Sequence, residues 1–151
     1  MIFRKEYYIA EYTNNDLIEV PVGGSIIFNN SISCNRGYIY HRNESGVFIL
    51  RGIVNNPTQQ FARYQIVYNG NVSVPEGETP AALSFSIAID GEAIPTSTAI
   101  VTPTVAEAFF NITSTAIIDC PKCCCLNVSI VNNGTIPTDV QNSNLVINRV
   151  A

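Results

Sequence analysis

Between Ala62 and Val74 the side chains alternate: Tyr64, Ile66, Tyr68, Val72 and Val74 fall on one side, and Arg63, Gln65, Asn69, Asn71 and Ser73 on the other. A period of two puts successive side chains on opposite faces of an extended chain, so this run predicts a strand with one buried face. The period returns in Leu83, Phe85, Ile87 and Ile89 against Ser84, Ser86 and Asp90, and Asp90-Gly91 is a hairpin signal after which Glu92 should pair back. Ala108 to Ile118, with Phe110, Ile112 and Ile118 in phase, predicts another strand. Leu126, Val128 and Ile130 alternate with Asn127 and Ser129 before the turn Asn132-Asn133-Gly134, and Leu145 to Val150 reads as a terminal strand. Ser25 to Phe28, Gly37 to His41 and Val47 to Leu50 are shorter β-rich runs. No stretch has helical periodicity. The expected fold is all-β, an antiparallel jelly-roll sandwich of about eight to ten strands.

The first twenty residues differ from the rest. Arg4, Lys5, Glu6, Glu11, Asp16 and Glu19 are six of the chain's twenty charged residues, and they are interleaved with Tyr7, Tyr8, Ile9 and Tyr12. Two readings stand side by side: an arm docking on a partner through Tyr7, Tyr8 and Tyr12, or a first strand with a charged face. Residues 21–151 then form the jelly roll, and 151 residues suffice for one core that needs no disulfide or metal to hold it.

Composition narrows the function. Charged residues make up only 13% of the chain, about half the usual share of roughly 25%. Such a surface belongs outside the cytosol or beneath neighbouring molecules. A net charge of -4 leaves no basic footprint for nucleic acid. Charge interrupts the apolar residues at the start, so no signal-peptide core is expected, and no run approaches the roughly eighteen apolar residues of a membrane span. The Asn-x-Ser/Thr triplets at Asn29, Asn43, Asn71, Asn111, Asn127 and Asn133 are read as chance in an Asn-rich chain.

Candidate chemistry is sparse. His41 is the single histidine, it sits in Tyr38-Ile39-Tyr40-His41-Arg42 with no nucleophile elbow nearby, and it is expected to be structural. Gly23-Gly24 lacks the Lys-Ser/Thr of a phosphate loop, and Asp90 with Glu92 is too few carboxylates for calcium. The stretch CPKCCC places Cys120, Cys123, Cys124 and Cys125, four of the five cysteines, within six residues. Cys120 and Cys123 have the spacing of half a zinc site, but the second half is missing. Three readings follow: loop cysteines leading into a strand and filling space, with Cys124 pointing into the core beside Leu126 and Val128; a disulfide, local or between subunits, for which Cys34 is a candidate partner; or zinc.

The segment "ARYQIVYNGNVSV…LSFSIAIDGEAIPTSTAIVTPT" resembles the trimeric jelly-roll heads of collagen-like bacterial surface and spore-coat proteins, whose fold is similar to tumour necrosis factor and the complement globular heads. Ile89-Asp90-Gly91-Glu92-Ala93-Ile94-Pro95-Thr96-Ser97 follows their "ING-x-x-I/VPGS" hairpin, with Thr96 in place of Gly. The end, "CCLNVSIVNNGTIPTDVQNSNLVINRVA", is similar to their last two strands. Short versions look like proteins of gut bacteria and their phages. The resemblance covers residues 26 to 151. It implies a homotrimer whose seam and core draw on Tyr38, Tyr40, Tyr64, Tyr68, Phe109 and Phe110.

The leading expectation is a non-enzymatic structural or binding trimer without a cofactor, on a virion surface as a capsid-decoration or fibre-type protein within a larger assembly, with a glycan or host surface as candidate ligand. The alternatives are a head on a bacterial cell or spore surface, and a small cysteine-based zinc or redox protein.

Overall fold

The computed structural model describes residues 9–32 and 37–151. Tyr7, Tyr8 and Cys34 lie outside the described residues. Among the described residues, twelve strands form two antiparallel sheets: β1 (Ile9–Asn14), β2 (Ile18–Val20), β3 (Asn30–Ser31), β4 (Ile39–His41), β5 (Phe48–Arg51), β6 (Phe61–Ser73), β7 (Leu83–Ile89), β8 (Glu92–Ala93), β9 (Ala99–Val101), β10 (Phe110–Pro121), β11 (Cys125–Asn132) and β12 (Thr138–Arg149). The first sheet runs β10-β6-β12-β1-β3, with β2 also on β12; the second runs β4-β5-β11-β7-β8, with β9 also on β7. Successive long strands β6, β7, β10, β11 and β12 cross from one sheet to the other. That crossing is the jelly-roll pattern.

The core lies between the sheets. Tyr64, Ile66, Tyr68 and Val72 of β6, Ile112 and Ile118 of β10, and Leu145 and Ile147 of β12 meet Phe48, Leu50, Leu83, Phe85, Ile87, Val128 and Ile130 of the second sheet. Tyr68 reaches far enough to hydrogen-bond Ser143 Oγ at 3.1 Å, and a Cβ at Gly70 would overlap its hydroxyl. Gly70 therefore leaves the space the ring passes through.

Several expectations change in detail. Ser25 to Phe28 is not a strand: its backbone pairing is confined to isolated bridges, Ser25 to Val131 and Phe28 to Ser45. The terminal strand begins at Thr138, earlier than expected, and a bulge with Asn142 at φ 55° shifts its register between Gln141 and Asn144. The bulge moves the inward phase from Val140 to Ser143, Leu145 and Ile147. Phe110, expected in phase with Ile112, opens β10 with its side chain exposed. Asp90 and Gly91 both take positive φ in the β7–β8 hairpin, as a two-residue primed turn requires.

The segment from Ile9 belongs to the first sheet: β1 pairs β12 from Ile9↔Asn148 to Asn14↔Ser143. Tyr12, a candidate docking residue, is 2% exposed. Its ring lies 4.7 Å from Phe48 and 4.9 Å from His41. Strand alternation turns it inward, and it serves the core rather than a docking surface.

Candidate functional site

CPKCCC forms the connection from β10 to β11. Cys120 is the penultimate residue of β10 and faces inward, fully buried, with its Sγ 3.5 Å from the Leu50 and Cys124 carbonyl oxygens. It is thus a strand residue and not the loop cysteine its spacing suggested. Burial first, and then Cys125 and Cys124 nearby, push its thiol up to about 11. Pro121 ends β10, and Cys124 N–H donates to the Pro121 carbonyl oxygen at 3.0 Å, with Cys123 in the left-handed region at φ 65°. The turn is pinned to the end of β5: Gly52 N–H donates to Cys124 O at 2.8 Å and Cys123 N–H to Gly52 O at 3.0 Å. A Cβ at Gly52 would run into the Pro121 carbonyl.

Cys123, Cys124 and Cys125 are all exposed. Cys124 does not enter the core, because β11 starts one residue later and Cys124 belongs to the turn. The space-filling reading thus fits Cys120 and fails for the other three. None of the four described cysteines is in a disulfide, and no group of three or more His, Cys, Asp or Glu among the described residues is arranged to hold a metal ion.

His41 is packed flat on Phe48 at 4.3 Å, and its Nε2–H donates to Ser45 O at 2.8 Å. Burial lowers its pKa below the ordinary 6.5, with the Ser45 hydrogen bond working against that. No partner for general-base chemistry faces it in these contacts. An open cleft of about 400 Å³ lies at the other end of β12, lined by Tyr38, Asn55, Asn56, Gln59, Arg149, Val150 and Ala151. The Arg149 guanidinium lies 4.5 Å over the Tyr38 ring, and its Nε–H donates to Ala151 O at 3.2 Å.

A further candidate surface is the outer face of the first sheet, which the sequence analysis did not single out. Registers across β10, β6, β12 and β1 set its side chains in rows: Ile117, Gln65, Asn148 and Ile9; Thr115, Val67, Val146 and Glu11; Thr113, Asn69, Asn144 and Thr13; Asn111, Asn71 and Gln141. Glu11 is the only charged residue among them. Ile117 is 65% exposed and Ile9 50%. Above the first row, Arg63 and Asp119 neutralise each other in a two-point ion pair at 2.7 and 3.1 Å. At the other end Asn111 Nδ2 donates to Asn69 Oδ1 at 2.7 Å and to Asn71 Oδ1 at 3.3 Å. These amides are partly satisfied by one another, which lowers the cost of covering them. β10 is also the sheet's edge, twelve residues long and without a lysine. Such edges ordinarily carry protective charges. The signal in the sequence was the run of uncharged outward residues on β6 and β10, but only the sheet order puts them side by side.

No family model and no curated protein matches the sequence. Solved structures do. The Eiger TNF of S. frugiperda superposes with a TM-score of 0.67 at 9% identity, covering 97% of this chain and 94% of that one. The globular domain of zebrafish complement 1qA gives 0.63 at 11% identity, with 94% of each chain covered. Murine APRIL gives 0.63 at 5% identity, with 93% and 97% covered. At such identities the likeness speaks for the fold, and it agrees with the sheet order and the crossings between sheets. The chain has the jelly-roll fold shared by tumour necrosis factor and the complement globular domain.

Proposed function

We propose that this protein is a non-enzymatic structural and binding head that assembles as a homotrimer by burying the outer face of its first sheet. The observation that carries this reading is the composition of that face: four rows with a single charge and with exposed Ile117 and Ile9. A solvent-facing side of an antiparallel sheet ordinarily alternates to polar and charged residues. Here desolvation removes few charges, and burying the isoleucines and valines contributes roughly 25 cal/mol per Å² of apolar area. Heads of the tumour necrosis factor and complement type are typically homotrimeric and bind other molecules, which favours three copies over two.

The proposed setting is the exterior of a phage particle, as a capsid-decoration or fibre-type protein; a bacterial cell or spore surface is the alternative. Both suit a chain whose surface has few charges to keep it apart from neighbours. Genes for capsid and tail proteins beside its own would support the first, and collagen-like or secretion genes the second.

Native mass spectrometry tests the assembly. A metal-free particle of about three times 16.5 kDa is expected, and Ile117→Asp combined with Val67→Asp should reduce it to a folded single chain with an unchanged circular dichroism spectrum. A wild-type monomer at micromolar concentration, or a trimer untouched by both substitutions, would refute this seam.

A further inference from the structure

Cysteine stabilises a fold by filling small apolar spaces. Cys120 does this, but Cys123, Cys124 and Cys125 are exposed and fill none. A bridge between sequence neighbours in the triplet is strained: adjacent Cα atoms across their trans peptides are about 3.8 Å apart, and a disulfide usually spans at least roughly 4.4 Å. Cys120 faces between the sheets and is held there by the Leu50 and Cys124 carbonyls. No metal-holding group forms around the turn among the described residues. Outside the turn and Cys120 the described residues hold no further cysteine, so another molecule is a partner open to the three thiols.

We propose that the Cys123–Cys125 turn is a cross-linking site at which copies of this chain are joined by intermolecular disulfides. The partner we infer is a second copy, because identical turns bring matching thiols. One exposed thiol per chain would stop at a linked pair, whereas three allow a chain to link to more than one neighbour. The hydrogen bonds to Gly52 and Pro121 hold the turn in one place, so the thiols are presented on a fixed edge. The turn also continues β10, whose Ile117 and Asp119 border the uncharged face. Copies packing through that face would bring their turns toward one another, and this placement rests on the assembly proposed above.

The chemistry is thiol-disulfide exchange with a low-molecular-weight disulfide as oxidant. A thiolate of one copy attacks the small disulfide, forming a mixed disulfide and releasing one small thiol. A thiolate of the second copy then attacks the protein sulfur and releases the other small thiol. Two protein thiols are oxidised to one disulfide, and the small disulfide is reduced to two thiols.

The test treats the purified full chain with excess oxidised glutathione and reads it on non-reducing denaturing gels and by disulfide peptide mapping. Linked dimers and larger species that collapse on reduction are expected, with Cys123, Cys124 or Cys125 at both ends of the bridge. The variant Cys123→Ser/Cys124→Ser/Cys125→Ser should run as a single chain while keeping its melting temperature, since all three positions are exposed. Four outcomes would overturn the proposal: an intrachain bridge, whether to Cys34 or between Cys123 and Cys125; glutathione adducts without linked chains; a ladder that survives in the triple variant; or stoichiometric zinc that blocks oxidation. Because the gel is denaturing, it scores the cross-link separately from the trimer, which native mass spectrometry reports.

Discussion

Tyr68 shows how one buried side chain ties the neighbouring strands β6 and β12 together. Its hydroxyl is buried, burial pushes its pKa well above the ordinary tyrosine value, and Ser143 Oγ is its hydrogen-bond partner. Tyr68→Phe should cost about 1–2 kcal/mol because it leaves the Ser143 hydroxyl unpaired as well. Adding Ser143→Ala should cost less than the sum of the two single changes. Denaturant midpoints of the four proteins check this, and strict additivity would show that the pair is not coupled. His41 makes a pH-dependent contribution. Its folded pKa lies below the unfolded 6.5, so the unfolded chain takes up the proton first as pH falls. The stability from neutral His41 is present above pH 6.5 and is lost as pH drops below it toward the folded pKa. Between about pH 7.5 and about pH 5.5, the wild type should lose more stability in urea than His41→Gln. Equal losses would mean that the imidazole does not titrate with unfolding.

At the scale of an element, the bulge in β12 decides which residues the strand buries. Asn142 sits at φ 55°, a conformation that asparagine tolerates and a β-branched residue does not. Asn142→Val should destabilise by about 1–2 kcal/mol, equivalent to a melting-temperature fall of about 2–4 °C per kcal/mol for a chain of this size, whereas Asn142→Gly should be near neutral. Gly70→Ala in β6 should cost about 1–3 kcal/mol, because the new methyl displaces the Tyr68 hydroxyl from its place beside Ser143. Thermal melts followed by circular dichroism separate these outcomes.

For the whole molecule, the low charge content leaves a continuous, nearly uncharged face on the first sheet. The four rows of the first sheet concentrate uncharged residues where β10, β6, β12 and β1 lie side by side. If this face is the seam, trimer dissociation should respond weakly to ionic strength, because screening acts on charges and the seam holds few. Dilution series at low and high salt, read by mass photometry or light scattering, measure it. A strong salt effect would assign the seam to the charged residues elsewhere on the chain.

Periodicity along the chain was enough for the long strands, because a strand with one buried face must alternate: β6, β7, the second half of β12 and the hairpin at Asp90-Gly91 were all legible. Cys124 and Ser25 to Phe28 were misread, and the first half of β12 was missed, where the alternation breaks. A left-handed residue or an isolated bridge resets the phase without leaving a mark that alternation can register. Tyr12 became core through its pairing with β12, a contact between the two ends of the chain. The candidate surfaces needed the tertiary structure altogether: the sheet order set separate uncharged residues into one face, and the turn at Cys123 separated one buried thiol from three exposed ones.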